Sequence, residues 1–159
     1  MESFDSLNEL GACSHLFLEE LIEPETNRLR IRVVEGQVSK TSIPIEVAGN
    51  SLGEGFPVKV TSASVRFELV WQSYVLYQVT NESYGAKATD QPTSAECEGA
   101  IAIYTSSRLL SQVAKTTNAS DDYPGKLVHC QLICSDHIID VVSIERPACR
   151  RISLPGRVN

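Results

Sequence analysis

A chain of 159 residues with 42% hydrophobic and 21% charged content has the size and composition of one globular domain, in which roughly 70% of the unfolded chain's surface is buried on folding. Twenty acidic against 14 basic residues give a net charge of −6, which argues against nucleic acid or an anionic membrane as a partner for the whole molecule. The longest apolar runs, such as Ile101 to Tyr104, fall far short of the roughly 20 residues of a membrane-spanning helix.

Glu2 and Asp5 stand where a secretory leader carries lysine or arginine, so a cytoplasmic location is expected. The five cysteines, an odd number, fit reduced thiols buried in the core of a chain that needs no staples. Charge is unevenly spread. Arg146 to Asn159 holds four arginines and no acid, which predicts an acidic domain over 1–145 followed by a basic tail, 146–159, that frays.

In chain order, Phe4, Leu7 and Leu10 at three-residue steps before Gly11 predict a short N-terminal helix over 3–10. His15 to Ile22 fits helix or strand by itself. Arg28 to Val33 alternates strictly, and the turn chemistry of Pro24 to Asn27 makes a hairpin of the two segments. On that hairpin Arg28, Arg30 and Arg32 would face Glu19, Glu23 and Glu25 as cross-strand ion pairs on a solvated face.

The interval 36–57 reads as a long loop, as does 81–98, and long loops are where a site is expected first. Between them Val65 to Val79 alternates for too long to be one straight strand, roughly 46 Å at about 3.3 Å per residue. A break at Gln72-Ser73 that moves the chain from one sheet to another is the expected solution.

Glu98 to Thr105 reads as a strand, and 107–115 as a helix capped by Ser106 or Ser107 with Leu109, Leu110 and Val113 on one face. Lys126 to Cys134 and Ile138 to Ile144 form a second hairpin around Ser135 to His137. The sum is a mainly β chain: a β-sandwich or open barrel of about eight strands with one packed helix and a second short helix at the N-terminus.

No phosphate-loop, esterase or zinc-protease spacing occurs. Cys130 and Cys134 would lie about 13 Å apart along a strand, too far to share one zinc ion. Neither a metal nor another cofactor is therefore expected. Cys149 sits among Arg146, Arg150 and Arg151, charges that would activate a thiol, but a frayed tail is its expected home.

Two functions fit these residues, beside a third, a structural subunit whose exposed strand edge pairs with a neighbour. The first is a non-catalytic, intracellular protein-binding domain, for which an acidic inhibitor or immunity-type protein against a basic partner is one form, with Tyr74, Glu82 and Tyr84 as contacts because tyrosine buries a ring while presenting a hydroxyl. The alternative is a small metal-free acid–base enzyme with a pocket at the mouth of the sandwich, drawing on Glu82, His129, Asp136, His137 and Asp140.

Overall fold

The computed structural model describes residues 2–85, 95–96 and 99–153. The expected N-terminal helix is present as α1 (Glu2–Gly11), with Leu7 and Leu10 fully buried. Next comes the expected hairpin, β1 (Leu16–Glu25) antiparallel to β2 (Arg28–Glu35), turning at Asn27 with a φ of 63°.

The expected loop at 36–57 instead holds three strands, β3 (Gln37–Val38), β4 (Ile43–Val47) and β5 (Asn50–Gly55), and a fourth, β6 (Val58–Lys59), follows it directly. β3 pairs only with β6 and β4 only with β5. They stack end to end as one two-stranded ribbon that joins neither main sheet. These strands are why the chain holds more than the roughly eight expected.

The break in the long alternation falls where the polar pair predicts it. β7 (Arg66–Trp71) ends immediately before Gln72, and β8 (Leu76–Asn81) begins after Val75 in a different sheet. A single turn of 3-10 helix follows at Glu82–Tyr84, capped by Asn81, whose side chain accepts the Ser83 amide at 3.0 Å.

After β9 (Ala95–Glu96) come β10 (Ile101–Tyr104) and α2 (Arg108–Thr116). Ser107 is the cap of α2; its hydroxyl accepts the Leu110 amide at 3.1 Å and Val113 is buried beneath the helix. β11 (Val128–Ile133) and β12 (His137–Ser143) form the second hairpin in the expected place. The rest of the 81–98 interval, 86–94 and 97–98, lies outside the described residues.

The expectation of a frayed tail is corrected over Ala148–Ile152, while 154–159 lie outside the described residues. Residues Ala148–Ile152 form β13, antiparallel to β7, because Cys149 drops into the core while Arg150 and Arg151 reach Glu68 and Glu9. Those acids are far away in sequence.

The fold is mainly β and sandwich-like, with strand orders β1-β2-β7-β13 and β8-β12-β11-β10-β9 in its two main sheets. Their facing sides share one core, in which Leu29, Ile31, Val33, Phe67, Leu69 and Trp71 meet Ile101, Ile103, Cys130, Leu132, Ile139 and Val141. α1 packs against β13 of one sheet and β10 of the other. Its end is tied down where Gly11 accepts the Ala100 amide at 3.1 Å, and Gly99 beside it, at a φ of 89°, has no room for a side chain.

Leu69 is fully buried at the centre of the sheet. Leu69→Ala is expected to cost about 2–5 kcal/mol through the lost burial and the cavity left behind. Urea unfolding measures this as a lower midpoint with an unchanged slope.

Candidate functional site

The ribbon of β3 to β6 departs most from what a small domain does with its apolar residues. Val38, Ile43, Ile45, Val47, Leu52 and Phe56 lie on it and Val60 immediately follows it, and together they are seven of the twelve large apolar side chains found exposed among the described residues. Leu52 is 67% exposed and Phe56 59%. Scattered apolar exposure is ordinary, whereas its concentration on one projecting element points to an interaction surface.

The local sequence explains the shape. Ala48 and Gly49, with φ values of 50° and 80°, form the two-residue turn between Val47 and Asn50 whose twist suits a hairpin. Period-two alternation puts Ile43, Ile45 and Val47 on one face of β4, where the residues opposite on β5 are Gly55, Gly53 and Asn50. The apolar ridge therefore runs beside a strip with little side chain. Ile45 leans over Gly55, where an added Cβ would stand 2.6 Å from its Cδ1. At the base, the Gly36 amide donates to the His15 carbonyl at 2.7 Å, and Gly36 is enclosed by Phe17 and Val58.

The acid–base candidates fall into two groups. His129 and Asp140 meet on the outer face of the five-stranded sheet, with His129 Nε2 2.9 Å from Asp140 Oδ1 and His129 Nδ1 2.9 Å from Ser107 Oγ. A carboxylate only accepts, so Nε2 carries a proton, and in the neutral ring Nδ1 accepts from the Ser107 hydroxyl. Gln131 and Gln78 donate to Asp140 at 2.9 and 3.0 Å, and the Tyr104 ring lies 5.2 Å from the imidazole. Burial alone would raise the Asp140 carboxyl, but the hydrogen bonds from His129, Gln78 and Gln131 outweigh it and hold the group below its ordinary value.

Hydroxyl, imidazole and carboxylate thus stand in line, as in hydrolytic triads. The surroundings are those of a structural network. Ser107, His129 and Asp140 are 4%, 2% and 6% exposed, the serine hydroxyl is already engaged by the helix, and three surface clefts of about 470, 340 and 250 Å³ are lined by other residues. The position is also the outer side of a sheet and not the mouth of the sandwich.

Glu82, Asp136 and His137 form the second group, at the end of β8. The Glu82 amide faces the Asp136 carbonyl at 3.4 Å, and His137 Nδ1 is 3.2 Å from Asp136 Oδ2. Asp136 also accepts the Leu18 amide at 3.3 Å, which ties this turn to β1. Tyr84 is at the same end and 82% exposed. Tyr74 is not. It precedes the other end of β8, about 26 Å away at roughly 3.3 Å per residue, so the three expected contacts do not form one surface. Its hydroxyl bonds to Glu23, which pushes the phenol up to about 12.

That bond also redistributes the expected ion pairs. Glu23 serves Tyr74 and Tyr77, Glu19 serves Arg66, and Arg30 goes to Glu20. Only Arg28 with Glu25 is as expected. Register places Glu20, Arg32, Glu68 and Arg150 in one row of alternating charge across all four strands of the sheet. Glu68 sits in the middle at 3% exposure; burial alone would raise its carboxyl, but hydrogen bonds from Arg150 and Arg32 hold it down.

Burial pushes the thiols of Cys134 and Cys149 up to about 12, which leaves them protonated and unreactive near neutrality. The arginines around Cys149 do not activate it. Among the described residues no three histidine, cysteine, aspartate or glutamate side chains come together as a metal would require, and no helix is long and apolar enough to cross a membrane.

Comparison with known proteins gives no match: no family model fits the sequence, and neither a curated protein nor a solved structure is significantly similar. The ribbon falls in 36–57, one of the two long intervals, with 81–98, singled out by length in the sequence; the alternation of Ile43, Ile45 and Val47 was the further signal available there.

Two outcomes are expected for the buried carboxylates and their serine neighbour. Because Asp140 and Glu68 are held below their unfolded values, their stabilisation is complete above the unfolded carboxylate range and is lost as the pH falls below that range through the depressed folded values. Acid titration of unfolding should show this loss, reduced in Asp140→Asn, which is also less stable at pH 7. Ser107→Ala should lower stability by about 1–2 kcal/mol through the lost helix cap, read from its denaturation midpoint.

Proposed function

We propose that this protein is a non-catalytic protein-binding domain whose ribbon, β3 to β6, is its docking element. The observation that carries the reading is the bare apolar ridge on a ribbon that pairs with neither sheet. A two-stranded hairpin alone in water is marginally stable at best, and each apolar side chain it leaves half bare forgoes on the order of 1 kcal/mol of burial. A protein surface laid over the ridge supplies that burial. The rigid sandwich holds the ribbon out while taking no part in the contact.

The narrower reading, an acidic inhibitor or immunity-type protein, draws on the net charge of −6, which would speed encounter with a basic partner. The acid–base alternative has His129 and Asp140 in reach of one another, but a general base must also reach its substrate, and both are buried beside a helix cap that accounts for them.

The test uses tagged wild-type chain and the double variant Ile45→Ser/Leu52→Ser, chemically cross-linked in native cell extract and then analysed for bound chains. A stoichiometric product in the wild type that falls about tenfold or more in the double variant is expected. Equal yields from both would refute docking through the ribbon. Disappearance of the product at raised salt would separately favour a charged, basic partner over an apolar contact.

A further inference from the structure

Apart from the ribbon, the outer face of the four-stranded sheet carries a cleft of about 470 Å³ with charged walls. Arg32 of β2, Arg66 of β7, and Arg150 and Arg151 of β13 line it, with two carboxylates, Glu19 of β1 and Glu68 of β7. Four guanidinium groups against two carboxylates leave the lining at +2, in a chain whose net charge is −6. Two further acids reach these arginines from outside the lining, Glu9 on Arg151 and Glu20 shared between Arg30 and Arg32. Five arginines then face four carboxylates, and the balance is still positive.

Both carboxylates of the cleft are already engaged. Glu68 takes Arg150 Nε on one oxygen and Arg32 Nε on the other, each at 2.9 Å, and Glu19 takes Arg66 Nε at 3.0 Å. Arg66 is only 5% exposed, and its Nη1 donates to the Thr61 and Ser64 carbonyls at 3.2 and 2.9 Å. A guanidinium has five N–H donors, so donors are left over. Nη2 of Arg66 and Nη1 of Arg150 make no hydrogen bond among the described residues, and Arg151 uses Nη1 alone, on Glu9. A network that served the fold alone would match each guanidinium to its own acid; here buried Glu68 braces two arginines at once.

We propose that this cleft binds the phosphate monoester group of a small molecule through Arg66, Arg150 and Arg151. Near neutrality such a group carries a charge of about −1.5 to −2 and three strong acceptor oxygens, so it takes donors from several guanidinium groups together, whereas one bidentate fork fills a carboxylate. Strand pairing sets Arg66 opposite Ile152, two residues or roughly 7 Å along β13 from Arg150, a gap that long arginine side chains close around one tetrahedral group. The braces hold the guanidinium groups in place before the ligand arrives, which lowers the ordering cost of binding. The volume falls within the roughly 300–1,000 Å³ of small-molecule pockets, so an organic group has room beside Ile152, which also lines the cleft.

The experiment is isothermal titration calorimetry of the full chain near neutrality and at low salt, with phenyl phosphate, inorganic phosphate and benzoate as probes. The wild type is compared with Arg150→Gln, Arg151→Gln, Arg150→Lys and Lys59→Gln, and thermal unfolding verifies that each variant is folded. Phenyl phosphate should bind one to one, and each glutamine variant of β13 should weaken it about tenfold or more. Arg150→Lys keeps the charge but loses the fork and should still weaken binding several-fold. Lys59→Gln makes the same charge change on the ribbon and should leave affinity unchanged within about twofold. Absence of saturable phenyl phosphate binding, or binding that Arg150→Gln and Arg151→Gln leave intact, would overturn the site. Benzoate bound as tightly as phenyl phosphate would overturn the phosphate assignment, and inorganic phosphate bound as tightly would overturn the ester in favour of the free ion.

Discussion

The passage of the chain from one sheet to the other between Trp71 and Leu76 is the constraint on which the rest of the structure depends. β7 sits inside the four-stranded sheet with β2 on one side and β13 on the other, and β8 starts the edge of the five-stranded sheet only a few residues later. The sheets are therefore fastened near this point, and the apolar faces of β2, β7, β10, β11 and β12 have no option but to meet. Trp71, fully buried, is the last residue before the crossing.

With the apolar faces turned inward, each outer face must settle its polar groups without help from the core. The four-stranded sheet does so with a row of alternating charge, Glu20, Arg32, Glu68 and Arg150. The five-stranded sheet uses hydrogen bonds among Ser107, His129, Gln131, Asp140 and Gln78. Both networks bury a carboxylate and surround it with donors, the condition under which a buried charge is tolerated. They join elements that are distant in sequence, which suits a role in specifying the fold more than a role in chemistry. The ribbon is the exception, since beyond Val58 at its base its large apolar groups stand exposed.

Much of the sandwich was legible because its elements alternate or carry a cap. Arg28 to Val33, Val65 to Val79 and the 126–144 hairpin show period-two patterns that burial imposes on a strand, and Ser107 marks the start of α2. The ribbon was not read as strands because Gly49, Gly53, Gly55, Pro44 and Pro57 give it the composition of a loop, which masks the short alternation of Ile43, Ile45 and Val47. β13 was missed for a related reason. Its arginines read as a solvated tail until Glu68 and Glu9 are brought beside them by the fold. Likewise His129 and Asp140 were singled out as candidates, but Ser107, 22 residues from His129, becomes its neighbour only through strand pairing and the helix that follows β10.

Independence of the ribbon from the sandwich is the claim from which the functional reading follows, and amide hydrogen exchange in dilute solution tests it most directly. Opening free energies differ among parts of a protein according to how much burial holds each part in place. The amides of β4 and β5 should exchange at least about a hundredfold faster than those of β7 and β12, reflecting a ribbon that opens without disturbing the core. Protection of β4 and β5 equal to that of β7 at the same dilution would contradict the account, because the ribbon would then be stable without any partner to cover it.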